Sequence, residues 1–305
     1  MLRRKRFALN RIIAPAMELE DFARFTTGLG LSKIELRNDL PGKPEIKDIV
    51  DGLKPAEAGK LLLNEGISVL SINALQKFNL PERRKDRIEE LKRMLELSSA
   101  IDCPALVLCP NNAKDDARTP GQKYTDTVEA LIDYGPLFSE YGIAGYIEAL
   151  GFGISSLASL VPIVEAIKAS GYGCYRTLFD TFHHYIGPDD KNIFGTRRRG
   201  STEPRFPSGM DGLGASYEIA YTGLVHISGI EESLPPDQLR DCHRILIGPK
   251  DRIGNKEIIN RLDGMGYLGS FSFEPFSAEV QKMPPDKLAQ EIENSLRYIG
   301  VKAND

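Results

Sequence analysis

Cysteine is scarce in this chain and forms no pattern: Cys103, Cys109, Cys174 and Cys242 are spread without a CxxC pair. That argues against a disulfide framework or a zinc knuckle and fits free thiols in a reducing cytoplasm, where we expect the protein to reside. Long hydrophobic runs are missing as well. No stretch reaches the roughly 18 apolar residues of a membrane span. The basic start Met1-Leu2-Arg3-Arg4-Lys5-Arg6 leads only into Phe7-Ala8-Leu9, too short for a signal-peptide core. Positive charge is not in excess either, and a net charge of −4 gives no electrostatic reason to expect nucleic acid as a partner. Finally, no GxGxxG follows the first apolar run, which argues against an open dinucleotide-binding sheet.

What is present is an alternation. A hydrophobic fraction of 41% in 305 residues can bury a sizeable core. From Arg6 onward, short β-rich runs alternate with amphipathic helical segments, the signature of a parallel sheet wrapped by helices. Eight rounds can be counted. The predicted strands are Phe7 to Asn10, Lys33 to Arg37, Ser68 to Asn73, Ala105 to Cys109, Ala144 to Glu148, Tyr175 to Phe179, Leu224 to Ile227 and Phe271 to Glu274. Helices are predicted over about Glu18 to Leu29, Pro55 to Asn64, Pro81 to Leu97, Tyr124 to Tyr141, Leu157 to Ala169, Lys256 to Met265 and Asp286 to Tyr298. No linker-like stretch divides them, so the expectation is α/β, a single (β/α)8 TIM barrel over residues 1–305. One long excursion, Tyr185 to Gly223, lies between strands six and seven. It carries Arg197-Arg198-Arg199, for which a solvated loop or an anion-binding lid are both open readings.

Four predicted strands end on an ionisable residue: Glu148 after Tyr146-Ile147, Asp180 after Leu178-Phe179, His226 after Leu224-Val225 and Glu274 after Phe271-Ser272-Phe273. In a barrel the carboxyl ends of the strands form the active-site face. Buried carboxylates need a partner or a metal, so Glu148, Asp180, His226 and Glu274 are the candidate metal ligands. Three carboxylates and one imidazole favour Mn²⁺ and are compatible with Mg²⁺, Co²⁺ or Zn²⁺. Asn10, Glu35 and Asn73 are polar residues on other strands and are expected to contact substrate hydroxyls. For Glu35 and Arg37 a barrel ion pair is the competing reading, and for Asn10 and Asn73 it is satisfaction of backbone groups. Arg252 is a fixed cation that would polarise a carbonyl or hydroxyl.

The order Glu148-Ala149-Leu150-Gly151, Asp180-Thr181-Phe182-His183, His226-Ile227-Ser228, Asp251-Arg252 and Phe273-Glu274-Pro275-Phe276 resembles the xylose isomerase-like sugar isomerase/epimerase superfamily. Ala8-Leu9-Asn10, Ile34-Glu35-Leu36-Arg37, Ile72-Asn73-Ala74-Leu75 and Phe78-Asn79 extend the resemblance over nearly the whole chain. Within it the 2-keto-myo-inositol (inosose) isomerase branch is the nearest match. The resemblance implies one divalent metal on the four ligands, Glu148 and Glu274 as the catalytic acid–base pair, and His183 in the substrate pocket. It implies isomerisation or epimerisation of a polyol, ketose or ketocyclitol through an enediolate, in the setting of inositol catabolism. Two departures bear on the substrate: Asp251-Arg252 runs into Ile253-Gly254-Asn255 where the family often has Pro-Gly-x-Gly, and the Tyr185 to Gly223 excursion has no counterpart.

A lyase on the same scaffold, an inosose dehydratase or a C-glycoside deglycosidase, is the alternative, because the same enolate can expel a β-substituent. An abasic-site endonuclease shares the fold but needs a histidine-rich multi-metal cluster and a basic face, and the chain has four histidines and an acidic balance. Pairing into a homo-oligomer is left open.

Overall fold

Along strands such as Phe7 to Asn10 and Lys33 to Arg37, large apolar residues alternate with polar or smaller ones, whereas Ala105 to Cys109 is apolar throughout; side chains alternate between the two faces in either case. In the structure, a computed structural model describing residues 2–41, 49–188 and 218–301, the strands pair in parallel and in sequence order. They are β1 (Phe7–Asn10), β2 (Lys33–Arg37), β3 (Ser68–Gln76), β4 (Ala105–Cys109), β5 (Ala144–Glu148), β6 (Tyr175–Asp180), β7 (Thr222–Ile227) and β8 (Phe271–Phe273). β8 pairs back onto β1 through Phe7↔Phe271, Ala8↔Ser272 and Leu9↔Phe273, so the sheet is a closed eight-stranded barrel.

The helices are α1 (Leu19–Gly28), α2 (Pro55–Asn64), α3 (Arg84–Ala100), α4 (Pro120–Tyr141), α5 (Leu160–Ser170), α6 (Thr181–Ile186), α7 (Asn255–Gly264), α8 (Ala278–Gln281) and α9 (Pro285–Ile299). α4 begins earlier than the sequence pattern suggests, because Thr119 and Gln122 form a capping box with Pro120 at the first helical position. α6 and α8 were not foreseen: each is too short to show a period. Both are nucleated by a side-chain cap, Asp180 for α6 and Ser277 for α8. Most of the Tyr185 to Gly223 excursion, including Arg197 to Arg199, lies outside the described residues.

The alternation sorts the interior into two apolar clusters. Leu9, Ile34, Leu36, Leu106, Leu108, Ile147, Phe179, Val225, Phe271 and Phe273 join the large core between sheet and helices. A small separate cluster of Ala74, Val107, Cys109, Leu178 and Leu224, with Leu70 and Tyr146 against it, plugs the inside of the barrel. Fully burying each large apolar side chain contributes roughly 1.5–3 kcal/mol, so the outer core carries most of the stability. The inner plug sets the floor of the mouth. Above that floor the same inward-facing rows end in Asn10, Glu35, Cys109, Glu148, Asp180 and His226, all buried.

The loop after β5 closes against α6 by direct backbone contact. A Cβ at Gly151 would lie 2.0 Å from the His183 carbonyl oxygen and 2.9 Å from the Gly187 nitrogen. Gly151→Ala is therefore expected to lose about 1–3 kcal/mol of stability through overpacking, read as a lower urea midpoint at unchanged slope. A wild-type midpoint would show that the loop moves aside freely.

Candidate metal and catalytic site

His226 sits at the centre of the barrel mouth and is 0% exposed. Its Nε2 lies 3.0 and 3.1 Å from the two oxygens of Glu35. Glu35 is itself fixed, accepting from Ser71 Oγ at 2.5 Å, Asn73 Nδ2 at 2.9 Å and Asn10 Nδ2 at 3.3 Å. The Nε2 proton is donated to the Glu35 carboxylate, and Nδ1 is the ring nitrogen turned the other way. Nδ1 faces Glu274 Oε2 at 3.0 Å, Glu148 Oε1 at 3.5 Å and Asp180 Oδ2 at 3.8 Å. A buried nitrogen ringed by three carboxylates requires a second proton or a cation between them. Glu148, Asp180, His226 and Glu274 each offer one ligand atom within 4.8 Å of the others, and all four are buried. This donor set fits a divalent metal, and the Glu35–His226 contact is the outer-shell carboxylate that commonly orients a metal-binding imidazole.

Register explains the convergence. Asp180 pairs with His226 across β6 and β7, and Glu274 continues the β8 ladder by donating its N–H to the Ile227 carbonyl at 2.9 Å. Asp180 divides its carboxylate: Oδ1 accepts from His183 N at 2.9 Å and caps α6, while Oδ2 turns into the cluster. The Asp-x-x-His spacing is thus a helix start as well as a site motif. His183 is buried, with its ring edge-on to Phe152 at 5.1 Å and tilted against Phe182 at 5.3 Å, and its Nδ1 carries no hydrogen bond.

Two arginines balance the carboxylates. Arg37 donates to Glu274 Oε1 at 2.6 Å and grips Asp39 with Nε and Nη2 at 2.7 and 3.0 Å. Arg244 Nη2 donates to Asp180 Oδ2 at 2.6 Å and Glu274 Oε2 at 2.8 Å. Burial disfavours the Glu274 anion, but His226 and Arg244 outweigh it and hold the carboxyl well below the usual range. Burial likewise opposes a charged His226, yet Glu274 and Glu35 outweigh it and raise the imidazole well above its ordinary value. For Glu35, burial pushes upward and His226 more than offsets it, so the net shift is downward. Cys109 donates to Glu148 Oε2 at 3.3 Å; burial and that carboxylate push the thiol well up, so it stays protonated.

Not every predicted contact falls here. Arg252 is exposed and donates to the carbonyls of Glu232 and Leu234, the latter at 3.1 Å, while Arg244 is the cation after β7 that reaches the carboxylates. The preceding Asp251 explains the motif: it accepts from Ile230 N, Ile253 N and Asn255 N at 3.2, 3.1 and 2.9 Å and so braces the turn into α7. Gly254 there has φ +81°, a conformation only glycine adopts readily. Asn10 donates to Glu35 and Glu274 and accepts from Ile12 N, Asn73 donates to Glu35 and Ser71, and Glu35 meets His226, so their described side-chain contacts are internal to the barrel mouth. Arg244 was missed because it sits 18 residues beyond His226 (244 − 226) in what reads as a polar surface stretch. The one signal was an arginine opening the apolar run Ile245-Leu246-Ile247.

Two outcomes are expected. Because the raised His226 holds a proton at pH values where a free imidazole, near 6.5, has lost it, a metal must displace that proton. Divalent-ion affinity should then climb as pH rises above about 6.5, with proton release seen as calorimetric heats that vary with buffer ionisation enthalpy. Buffer-independent heats would show that no proton is displaced. Glu35→Ala is expected to weaken metal binding about 10–100-fold in chelator competition, with the four ligands intact.

Comparison with known proteins gives the same picture of the fold. The profile of the xylose isomerase-like TIM barrel family matches residues 28–299. A xylose isomerase domain containing protein from Salmonella typhimurium LT2 superposes with a TM-score of 0.83 at 31% identity, over 98% of this chain and 98% of that one. The IOLI protein, solved with a binding zinc atom, superposes with a TM-score of 0.79 at 17% identity, over 97% of this chain and 100% of that one. D-psicose 3-epimerase from Clostridium cellulolyticum H10, solved with D-tagatose, gives 0.70 at 17% identity, over 97% and 100%. No curated protein matches the sequence. From the match over residues 28–299 and the 31% identical relative, the chain belongs to the xylose isomerase-like TIM barrel family.

Proposed function

We propose that the protein is a divalent-metal-dependent isomerase or epimerase of a ketocyclitol or ketose, with 2-keto-myo-inositol as the favoured substrate. The observation that carries this reading is the buried cluster in which His226 Nδ1 faces oxygens of Glu148, Asp180 and Glu274 at the barrel mouth. Similar barrels bearing zinc, in the IOLI protein, or acting on ketoses, in D-psicose 3-epimerase, support it by analogy. Mn²⁺ is the favoured ion on the hardness of three carboxylates.

Moving a carbonyl along a polyol requires removing a proton beside C=O and returning one to the neighbouring carbon. When bound, the ion supplies positive charge where the substrate oxyanion develops. Glu148 and Glu274 are the acid–base pair. Abstraction is assigned to Glu148, which accepts from the weak thiol donor Cys109, whereas Glu274 is held as an anion by Arg37, Arg244 and Asn10. Asp180 holds its ligand oxygen steady by spending the other on the α6 cap. Glu35 keeps His226 in one tautomer and orientation, with Ser71, Asn73 and Asn10 behind it. His183, between Phe152 and Phe182, hydrogen-bonds a substrate oxygen and keeps water from that side.

The test combines metal content with product analysis. Purified protein should carry about one divalent ion per four-ligand site, and Mn²⁺-loaded enzyme in D₂O should exchange ring protons of 2-keto-myo-inositol as an isomeric inosose appears by NMR. Glu148→Gln and Glu274→Gln should each lower turnover about 10²-fold or more. Metal binding with an untouched inosose would redirect the search to other ketoses. Loss of water or of an aglycone would identify a lyase, and protein that binds no metal would overturn the reading.

A further inference from the structure

Arg244 is 1% exposed, one of the two largest fully buried polar side chains described. Its backbone is stitched to both neighbouring strand ends: Ser277 N donates to the Arg244 carbonyl at 2.8 Å, and the next residue, Ile245, exchanges two hydrogen bonds with Gly229 at 2.7 and 2.9 Å. Its guanidinium is held on every side. Nε donates to Ser228 Oγ at 3.0 Å, Nη1 reaches Asp241 Oδ1 at 3.3 Å, and the rings of Phe182 and Phe276 lie 5.1 and 4.9 Å from its centre. The remaining donor, Nη2, is shared between Asp180 Oδ2 and Glu274 Oε2. Those same two oxygens face His226 Nδ1, at 3.8 and 3.0 Å. A permanently charged group and an incoming divalent ion must therefore draw on the same carboxylate oxygens in a site shielded from water, where like charges repel strongly.

We propose that Arg244 is the resident counter-cation of the metal site, which holds Asp180 and Glu274 convergent and competes with the metal for them, so that it sets how loosely the ion is held. The inference rests on the metal reading above but does not follow from it: an arginine serving only as packing or as a fixed brace would leave metal affinity unchanged or lower it when removed. Competition predicts the opposite sign. Arg244 cannot shed its charge in a protein, so an ion that binds has to displace Nη2 from at least one carboxylate or bind against its repulsion.

The test is Mn²⁺ affinity, measured by competition with a chromogenic chelator, together with melting temperature with and without the ion. Arg244→Gln keeps a polar side chain but removes the charge. It should bind Mn²⁺ about tenfold or more tightly than wild type. Its metal-free melting temperature should fall, and Mn²⁺ should raise it by more than in wild type. Arg244→Lys keeps the charge and should stay within about threefold of wild-type affinity. Equal or weaker binding by Arg244→Gln overturns the proposal while leaving the metal site standing. Should that variant fail to fold, a Mg²⁺ titration of the wild-type chain decides: the ¹⁵Nε resonance lost in Arg244→Lys must shift, and an unmoved resonance overturns the proposal. If neither wild type nor variant binds Mn²⁺, the metal reading falls together with it.

Discussion

The site depends on one hydrogen bond, from His226 Nε2 to Glu35. That contact commits the imidazole proton to the β2 side of the barrel and turns Nδ1 toward Glu148, Asp180 and Glu274. Without it the ring could present either nitrogen to the three buried carboxylates. Glu35 is in turn immobilised by Ser71, Asn73 and Asn10, so three further strands contribute to the orientation of one ring. Polar residues on β1 to β3 thereby serve a cluster whose candidate ligands all come from β5, β6, β7 and the end of β8.

Charge balance is the second constraint. Glu35, Glu148, Asp180 and Glu274 are buried within reach of one histidine, and leaving such anions uncompensated would cost several kcal/mol each. Arg37 and Arg244 answer this from opposite sides of Glu274, one on each oxygen, and both lie over the Phe276 ring at 5.1 and 4.9 Å. Phe276 therefore acts as a spacer that fixes two cations relative to one carboxylate. Glu148 stands apart, meeting a thiol instead of a guanidinium, so the two glutamates face different donors within one mouth.

Both constraints depend on barrel geometry. The inner plug of Val107, Leu178, Leu224 and their neighbours fills the lower barrel, so the polar ends of the strands are lifted to the level where loops can cover them. No described helix is long and apolar enough to cross a membrane; each long helix spends its apolar stripe on the outside of the sheet, as in α9, where Leu288, Ile292, Leu296 and Ile299 are buried.

The sequence by itself determined the barrel and the four ligand candidates, because both are written in local pattern. Alternation of apolar and polar residues specifies strand, face and end, and an ionisable residue closing an apolar run can only emerge at the strand's carboxyl edge. Strands β1, β2, β4 and β5 run as their composition predicts, and Glu148, Asp180, His226 and Glu274 are brought together as that rule requires. Only the tertiary structure decided the partners. Arg244 reaches the cluster through a bridge between Gly229 and Ile245 that has no periodic signature, whereas Arg252, beside a better-looking motif, is turned outward because Asp251 is consumed in bracing the turn. Glu35 read almost equally well as a substrate contact or an ion-pair partner, and Asn73 as a substrate contact or a cap for backbone groups, until the closed sheet set Glu35 against His226 and Asn73 against Glu35. Which atom meets which across a barrel is fixed by strand register and closure, and those are properties of the whole sheet that no single segment encodes.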